Sequence, residues 1–502
     1  MKKNSLTTAV VAGIAGVAGF AGLANAVDLN PDGLGQVLIY PYYTVNKNQD
    51  TLISVVNTTD IGKAVKVRFL EGYNSREVLD FNLFLSPFDV WTASVSQVSD
   101  DGGAQLNTAD SSCIDFIPSF PYPFSSAAYT GGVAGPGGAS YAKDSGPQSI
   151  TRTREGYIEM IQMGDIIPGS DLDDATTHVQ NGSYDGGVPD CGYPVGDDVA
   201  TDADLTTPTG GLFGGAAIAN VGEGTYFSYN ADAIEGFIES KLYTTPSSLQ
   251  PTLQNASTPS VVDSGVARAF VFTDGGRLLT VDYPRGEDAV SAVFMADSVY
   301  NEYFIDSDFG ATSDWVVTFP TKRFYVDKQL YPSAITNPFA EPFAGGASRV
   351  ELSMGTWDHE EGSSVTVPPR CPSPPDDSCF LQAPYLPYEV NVITFVAAGD
   401  AAPSESLVFG SALYKTIVPF GLGGWAEIAM AAGDSGAHRL SGGVTSAATG
   451  STAVVLPGLP ATGFYAMNVI NANANPGKLA NYSGVYRHRM HRSCIGTDPA
   501  CS

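Results

Sequence analysis

One stretch of the chain has residue types that could supply a catalytic nucleophile. Residues 433–436 read Gly-Asp-Ser-Gly, the centre of the trypsin-like serine protease motif, but Ala437 replaces the usual second glycine. The serine of such a protease needs a histidine base within reach and an aspartate that orients this base. None of the histidines has a matching context; they are His178, His359, His438, His488 and His491. The pattern predicts a loop turn and no enzyme.

A second stretch could bind a hard cation. Asp306, Asp308 and Asp314 alternate with other residues around a glycine, and Ca²⁺ prefers such oxygen ligands. The spacing departs from an EF-hand, which requires further ligands at set positions of its loop. We predict these aspartates as a candidate Ca²⁺ site and no organic cofactor. The alternative is a solvated acidic loop, which is also our interpretation of the acidic residues between 171 and 204 and around His359.

Other residues could contact carbohydrate. Tyr40, Tyr42, Tyr43 and Trp425 have rings that could stack on sugars, although such residues in strands usually belong to the core. The segment 486–493, YRHRMHRS, concentrates arginine and histidine, so it could bind an anionic polysaccharide or an acidic neighbouring copy. A carboxylate pair for glycoside hydrolysis cannot be singled out among 53 acidic residues, because such pairs converge only in space.

Six cysteines indicate disulfides and an oxidising compartment. Fifteen pairings are possible for six cysteines, and sequence spacing favours one of them. The favoured pairs are Cys113 with Cys191, Cys371 with Cys379, and Cys494 with Cys501. The chain contains neither CxxCH nor CxxC, which argues against covalent haem, a zinc ribbon and a thioredoxin-like dithiol.

Residues 1–26 have the pattern of a secretory signal peptide. Lys2 and Lys3 precede an apolar stretch, and small residues at Ala24 and Ala26 mark a cleavage site before Val27. No cysteine follows this site, which argues against a lipoprotein. We therefore expect export to the extracellular space or cell surface of a Gram-negative bacterium, with no membrane span in the mature chain.

The segment 459–463, LPATG, matches a cell-wall sorting signal. Such a signal needs an apolar, membrane-spanning run close behind it, whereas asparagines interrupt the residues that follow here. We interpret the segment as a turn that leads into a strand, in which Phe464, Ala466, Asn468 and Ile470 share one face.

The composition excludes some partners and classes of protein. The formal net charge is −28, so the protein should repel nucleic acid and anionic lipid. Only 16% of residues are charged, while glycine, proline and aromatic residues are abundant. This combination is typical of an extracellular β-rich protein and not of a disordered chain or a helical bundle.

Short strands separated by turn residues dominate the chain. In 64–70, AVKVRFL, Val65, Val67 and Phe69 alternate with Lys66 and Arg68, which predicts one face in a core and one in water. Similar segments recur at the spacing of an antiparallel sandwich. The clearest helix lies within 286–304, where Val290, Val293, Phe294 and Tyr300 have helical spacing.

The predicted fold class is mainly β, with two or more antiparallel, immunoglobulin-like β-sandwich domains, long loops and one short helix. We expect a first sandwich at 27–165, followed by an acidic loop, a strand pair and a linker at 166–263. A second sandwich should occupy 264–502. An outer-membrane β-barrel is a less favoured alternative, because such barrels are also acidic and rich in glycine and aromatic residues.

Three segments resemble a group of signal-peptide-bearing proteobacterial proteins, usually described as hypothetical or cell-surface proteins. They are VVNTTDIGKAVKVRFLEGYNSREVLDFNLFLSPFDVWTA at 55–93, DWVVTFPTKRFYVD at 314–327, and LPGLPATGF with LANYSGVYRH within 456–488. The resemblance implies export and surface exposure, and it supplies no catalytic residues.

The sequence therefore predicts a non-enzymatic extracellular protein with a structural or adhesive role at the cell surface. It allows self-association into a surface layer or fibre, or contact with surface polysaccharide. The alternative is a secreted carbohydrate-binding or carbohydrate-active protein.

Overall fold

The computed structural model describes residues 26–501 with several internal gaps. The gaps are 134–139, 179–188, 192–201, 247, 258–266, 333–336, 340, 367–384, 432–437, 447–449 and 476. The described residues form mainly β-structure, as the sequence predicts. The short α-helices are Ala127–Thr130, Asp171–Thr176, Gly286–Phe294 and Arg323–Val326.

Fourteen strands lie in the described part of the first half of the chain. They are β1 Asp28–Leu29, β2 Val37–Thr44, β3 Asp50–Asn57, β4 Lys63–Glu71, β5 Glu77–Leu85, β6 Val90–Gln97, β7 Ala104–Asn107, β8 Cys113–Asp115, β9 Tyr122–Pro123, β10 Glu155–Ile166, β11 Leu205–Thr206, β12 Leu212–Asn220, β13 Thr225–Asn230 and β14 Asp232–Glu235.

These strands form two facing sheets. One sheet has the order β1-β14-β2-β10-β4-β5-β8, with β11 on β10, and the other has the order β13-β12-β3-β6-β7-β9. A buried apolar cluster contains residues from both sheets, such as Val67, Phe81 and Trp91. Strands β12 to β14, which come from the segment predicted as a separate middle region, thus complete the sheets of the first half.

The second half of the chain contains the remaining strands. They are β15 Ala267–Thr273, β16 Arg277–Tyr283, β17 Met295–Ala296, β18 Ser298–Phe304, β19 Ala311–Thr318, β20 Ser353–Asp358, β21 Ser363–Thr366, β22 Val390–Phe395, β23 Tyr414–Ile417, β24 Gly423–Ala429, β25 Arg439–Ser446, β26 Gly450–Pro457, β27 Leu459–Pro460, β28 Thr462–Asn475, β29 Lys478–Arg487, β30 Arg489–His491 and β31 Ile495–Gly496. Three five-stranded sheets have the orders β15-β16-β25-β26-β31, β21-β20-β24-β18-β30 and β23-β22-β19-β28-β29, and β17 pairs with β27.

The predicted helix in the second half is shorter than its apolar spacing suggests. It spans Gly286–Phe294 and is buried along its whole length. Tyr300, which was expected on the same helix, lies in β18. Residues after Phe294 instead pair as β17 with β27 and as β18 with β24. Strand pairing with distant segments therefore overrides the local helical pattern.

The two halves share one apolar core. A single buried cluster includes Ile39 and Tyr157 from the first half together with Val390, Phe409 and Phe464 from the second. The sheet that carries β2 and β10 therefore contacts the first-half core with one face and the second half with the other. The two halves pack against each other as one body.

The second face of this sheet corrects the prediction for β4. Val65, Val67 and Phe69 are buried in the first core as expected, but Lys66 and Arg68 do not face water. Both side chains are buried. Segment 244–251 and the helix Arg323–Val326 contribute groups that contact this polar face. The predicted alternation of apolar and polar residues along β4 is correct, but the polar face lies at an internal interface and not in water.

Ion pairs occupy this internal interface. Glu159 on β10 lies between two arginines, with its carboxylate 2.8 Å from the Arg323 guanidinium and 3.4 Å from that of Arg68. Arg68 also donates to Glu77 at 2.6 Å. Because Glu159 has no exposure to water, its charge depends on these two arginines, one from each half of the chain.

Two of the predicted disulfides lie within the described residues. Cys113 on β8 is bonded to Cys191, and Cys494 is bonded to Cys501. The first bond ties Cys191, which lies between β10 and β11 in the sequence, to the first-half sheet. Cys371 and Cys379 fall outside the described residues.

Replacing Glu159 should strongly destabilise the fold. In a Glu159→Leu variant, Arg323 loses its buried carboxylate, which should lower the free energy of unfolding by roughly 3–5 kcal/mol. The double variant Glu159→Leu/Arg323→Met should recover part of this loss, because Arg68 keeps Glu77. Urea denaturation of the purified protein measures both values.

The matched control for this prediction is the more exposed pair Lys47–Glu223, whose side chains are 30% and 37% exposed and whose charged groups lie 3.9 Å apart. A Glu223→Gln variant should cost less than about 1 kcal/mol, because water screens an exposed pair. Equal losses in Glu159→Leu and Glu223→Gln would contradict a dominant role for the buried network.

Candidate functional site

The most prominent exposed aromatic group lies on the sheet β21-β20-β24-β18-β30. Trp357 on β20 is directly opposite Trp425 on β24, and Trp425 is opposite Glu302 on β18. Directly opposed residues share one face of a sheet. The two indole rings stack with their centroids 4.0 Å apart and an angle of 10° between their planes. Trp425 remains 42% exposed, so the pair forms part of the surface.

Alternation along β24 explains why Trp425 points outwards. Ala426, Ile428 and Met430 are buried, so Trp425 and Glu427 occupy the opposite face of the strand. Tyr300 is directly opposite Glu427, and its ring lies 6.3 Å from that of Trp425. The rings therefore form a row across three strands, which we call the aromatic row: Trp357, Trp425 and Tyr300.

A glycine makes room for the first ring of the aromatic row. A Cβ atom at Gly355 would lie 2.4 Å from the indole of Trp357, which is a steric overlap. The absent side chain lets the Trp357 ring lie along its own strand and contact Trp425. Gly355 is two residues before Trp357, so it occupies the same face of β20.

Polar groups border the aromatic row. The Glu427 carboxylate accepts hydrogen bonds from the hydroxyls of Ser298 at 2.8 Å and Tyr300 at 3.1 Å. Partial burial raises the pKa of the Tyr300 phenol, and the bond to Glu427 favours the same protonated form. Glu302 is exposed on this face, and Arg489 of β30 is exposed opposite Tyr300. Both signs of charge therefore lie beside the rings.

Apolar loop residues extend this surface at one end of the sheet. Phe420 and Leu422 in the loop before β24 are 42% and 46% exposed, and Phe309 is 61% exposed. The backbone carbonyl of Leu422 accepts a hydrogen bond from the amide of Ile305 at the end of β18. The Tyr303 hydroxyl donates to the Phe420 carbonyl. These contacts fix the loop to the end of β18, the strand that carries Tyr300.

Of the aromatic residues singled out from the sequence, only Trp425 lies at this surface. Tyr40, Tyr42 and Tyr43 are fully buried, so they belong to the core, as such residues in strands usually do, and they cannot stack on sugars. The Tyr42 hydroxyl donates to the buried carboxylate of Glu155 at 2.9 Å. The sequence analysis missed Trp357 and Tyr300. The alternation of Trp425 and Glu427 with buried Ala426 and Ile428 was the available signal for an outward-facing ring.

The predicted Ca²⁺ ligands are not brought together. Asp306 accepts a hydrogen bond from the backbone of Asp308 at 2.9 Å and so caps a short turn. Asp314 is buried on β19, where it accepts backbone hydrogen bonds from Val408 at 3.0 Å and Phe409 at 3.1 Å. Burial raises the pKa of the Asp314 carboxyl. Within the described ranges, no three acidic, histidine or cysteine side chains form a group suited to a metal.

The serine protease motif and part of the acidic loop fall outside the described residues. These are residues 433–437, together with Asp197 and Asp198 of the acidic segment. His438, directly after the motif, is buried, and its Nδ1 forms a hydrogen bond of 3.0 Å with the backbone carbonyl of Met430. Around His359, the Asp358 carboxylate accepts hydrogen bonds from two backbone amides of a turn, those of Glu360 and Gly362.

The segment LPATG leads into a strand, as expected, although Leu459–Pro460 form a short strand and not the predicted turn. Leu459–Pro460 pairs with Met295–Ala296, and β28 begins at Thr462. The strand then pairs with β19 from Thr462 to Val469. LPATG is thus the entry to a central strand of the second half.

The basic tail divides between surface and core. Arg487 pairs with Asp232, and Arg489 is exposed, but His488 is buried against the Trp315 ring at 5.0 Å. Because the carbonyl of Val316 can only accept, the His488 Nε2 carries the proton, at 2.9 Å. Nδ1 then accepts from the Asn301 amide at 3.0 Å. Burial lowers the pKa of His488 to about 3.

This environment predicts a specific dependence of stability on pH. A histidine in the unfolded chain has a pKa of about 6.5, whereas folded His488 has a pKa of about 3. Between these two pH values the unfolded chain binds a proton that the folded protein does not bind. The contribution of His488 is therefore complete above the unfolded pKa and is lost as the pH falls. The loss should approach ~1.4 kcal/mol per pH unit in this window.

Two measurements check this dependence. Urea denaturation from pH 4 to pH 6.5 should give a steeper loss of stability for the wild type than for a His488→Asn variant. In NMR spectra, the His488 ring signal, assigned by its absence in the variant, should not titrate above about pH 4. A midpoint near that of an unfolded histidine would show that the ring is not held neutral.

Comparison of the chain with protein-family models, curated proteins and solved structures finds no match. No relative therefore assigns a role to the aromatic row, and its own geometry carries the functional argument. Among the helices of the described residues, none is long and apolar enough to cross a bilayer.

Proposed function

We propose that this chain is an exported, non-enzymatic adhesion protein that contacts carbohydrate through the aromatic row. The observation that carries the proposal is the stacked pair Trp357–Trp425, which remains partly exposed on a sheet face. Export is supported by the pattern of residues 1–26 and by the two disulfides.

The location of the tryptophans supports a binding role. The chain has four tryptophans; Trp91 and Trp315 are fully buried, and the other two form the stacked pair, in which Trp425 is exposed and Trp357 is half-buried. Tryptophan and tyrosine are the residues that most often dominate binding energy at interfaces. An exposed apolar patch with a polar border is a common sign of an interaction site.

The polar border favours a sugar over a purely apolar ligand. The C–H face of a pyranose can pack against indole edges and rings, while its hydroxyls need hydrogen-bond partners. Glu302, Glu427 and Arg489 provide acceptors and donors beside the rings. A ligand without hydroxyls would displace water from Glu302 and Arg489 without replacing its hydrogen bonds, which costs free energy.

Truncation of the aromatic row should weaken carbohydrate binding. A Trp425→Ala variant removes the central ring, and we expect its affinity for a bound polysaccharide to fall by at least about tenfold, as for a central interface residue. The measurement is retention of purified mature protein on a panel of immobilised bacterial and plant polysaccharides, followed by titration of the retained ones.

The matched control is Tyr226→Ala, which removes a 57% exposed ring on β13, outside the sheet of the aromatic row. This variant should bind like the wild type. Equal binding by Trp425→Ala and the wild type would refute the proposed surface. Concentration-dependent assembly without any glycan retention would favour a structural role, and sugar release from a retained polysaccharide would show that the protein is an enzyme.

A further inference from the structure

A buried lysine and two carboxyl groups meet on the polar face of the first-half sheet. Lys66 lies on β4, and Glu77 and Asp80 lie on the neighbouring β5. The side chains of Lys66, Glu77 and Asp80 are 0%, 7% and 9% exposed. Water therefore has little access to the amine or to either carboxyl group. This cluster is separate from the aromatic row.

The contact between Lys66 and Asp80 differs from an ordinary ion pair. The Lys66 Nζ touches Asp80 Oδ2, yet this oxygen has no hydrogen-bond partner, because the contact lacks hydrogen-bond geometry. A second buried pair on the same sheet provides the contrast. Lys63 donates a regular hydrogen bond of 2.7 Å to Asp165, whose carboxylate also accepts from Gln162 and Thr209.

A β-bulge explains how Glu77 and Asp80 come together. Residues three apart on a regular strand face opposite sides, but the pairing of β4 with β5 shifts its register between Phe69 and Leu70, at Val78. Glu77 thereby joins the face that carries Asp80. Burial raises the pKa of Asp80 to about 7, and the negative charge of Glu77 adds to this increase. The neutral acid is thus accessible near neutral pH.

The remaining partners of Lys66 hold its nitrogen in place. Nζ donates to the carbonyl of Pro246 at 2.6 Å and to that of Thr245 at 3.2 Å. Both carbonyls belong to the segment that covers the sheet. An amide nitrogen at this position would keep one N–H group, and the Pro246 carbonyl is placed to accept it.

We propose that Lys66 and Asp80 form an intramolecular amide bond after folding. A proton passes from the Lys66 ammonium to the Asp80 carboxylate, and the neutral amine then attacks Cγ. The new N–C bond forms as a C–O bond breaks, and the oxygen leaves with two protons as water. No oxidant or other reactant is needed. Glu77 acts as a positioning residue, because its charge favours the protonated form of Asp80.

A small cavity provides space for the water that is released. Its volume is about 110 Å³, and Glu77, Asp80, Phe116 and Tyr122 are among its lining residues. The acid that loses the oxygen therefore lines a space that can accept it. The Lys63–Asp165 pair differs, because its carboxylate already accepts hydrogen bonds from four donors. We propose no amide bond for that pair.

Mass spectrometry of the purified mature protein tests the bond. The intact, denatured protein should be lighter by one water molecule than its sequence with its disulfides. Tryptic digestion should leave the bond after Lys66 uncleaved and yield peptide 64–68 joined to the peptide that begins at Glu77. Recovery of both peptides unlinked, at the full sequence mass, would overturn the proposal.

Variants separate this result from other losses of water. Lys66→Arg should restore the full mass, whereas Lys63→Arg should retain the deficit of one water. Persistence of the deficit in Lys66→Arg would place the modification elsewhere and refute the assignment. Glu77→Gln should lower the cross-linked fraction or slow its growth after refolding; an unchanged time course would refute the role given to Glu77. The wild-type digest decides the main question even if a variant fails to fold.

Discussion

The burial of charge on one face of the first-half sheet is the constraint on which the rest of the structure depends. Arg68 and Glu159 would be solvated in an isolated sandwich, but here the helix Arg323–Val326 and the chain at Pro251 cover them. Each charge then requires a partner of opposite sign, and Arg323 supplies one from the far half. Removing charges from water is costly, so the geometry of these pairs must be well defined.

This arrangement gives the two faces of one sheet different tasks. Val67 and Phe81 point towards the other sheet of the first half and are buried in the apolar core between the two sheets. The hydrophobic effect that stabilises this core has no directional preference. The opposite face is held by hydrogen bonds and ion pairs, which require a defined geometry. These contacts specify the orientation of the second half on the sheet. Because the second half also contains the aromatic row, the orientation of that surface relative to the first half is set by the same ion pairs.

Local patterns in the sequence predicted the strands, but they could not predict which segments pack against each strand. Alternation correctly assigned Val65 and Phe69 to a core, and it correctly predicted a strand after LPATG. Alternation could not show that Lys66 is covered, because the covering segment is distant in sequence. The apolar spacing in 286–304 was helical only as far as Phe294, after which pairing with β24 determined the structure.

The same limit applies to the candidate site. Trp425 was visible as a ring that could bind, but its partners come from β20 and β18, and no local signal joins the three strands. The disulfides were easier to predict, since Cys494 and Cys501 are close in sequence and Cys113 was then left with Cys191. The spacing of the predicted Ca²⁺ ligands could not show that Asp314 is buried in a strand and accepts a hydrogen bond from the Val408 amide, whereas Asp306 caps a turn.

The stacked indoles should also give the folded protein a distinctive circular dichroism signal. Two tryptophan rings 4.0 Å apart couple their electronic transitions, which gives a paired circular dichroism band that isolated tryptophans lack. The strands that carry these rings are separated by a long stretch of chain, so the coupled band can arise only when the sheet is assembled. The stacked pair therefore reports, as a circular dichroism signal, the pairing of β20 with β24.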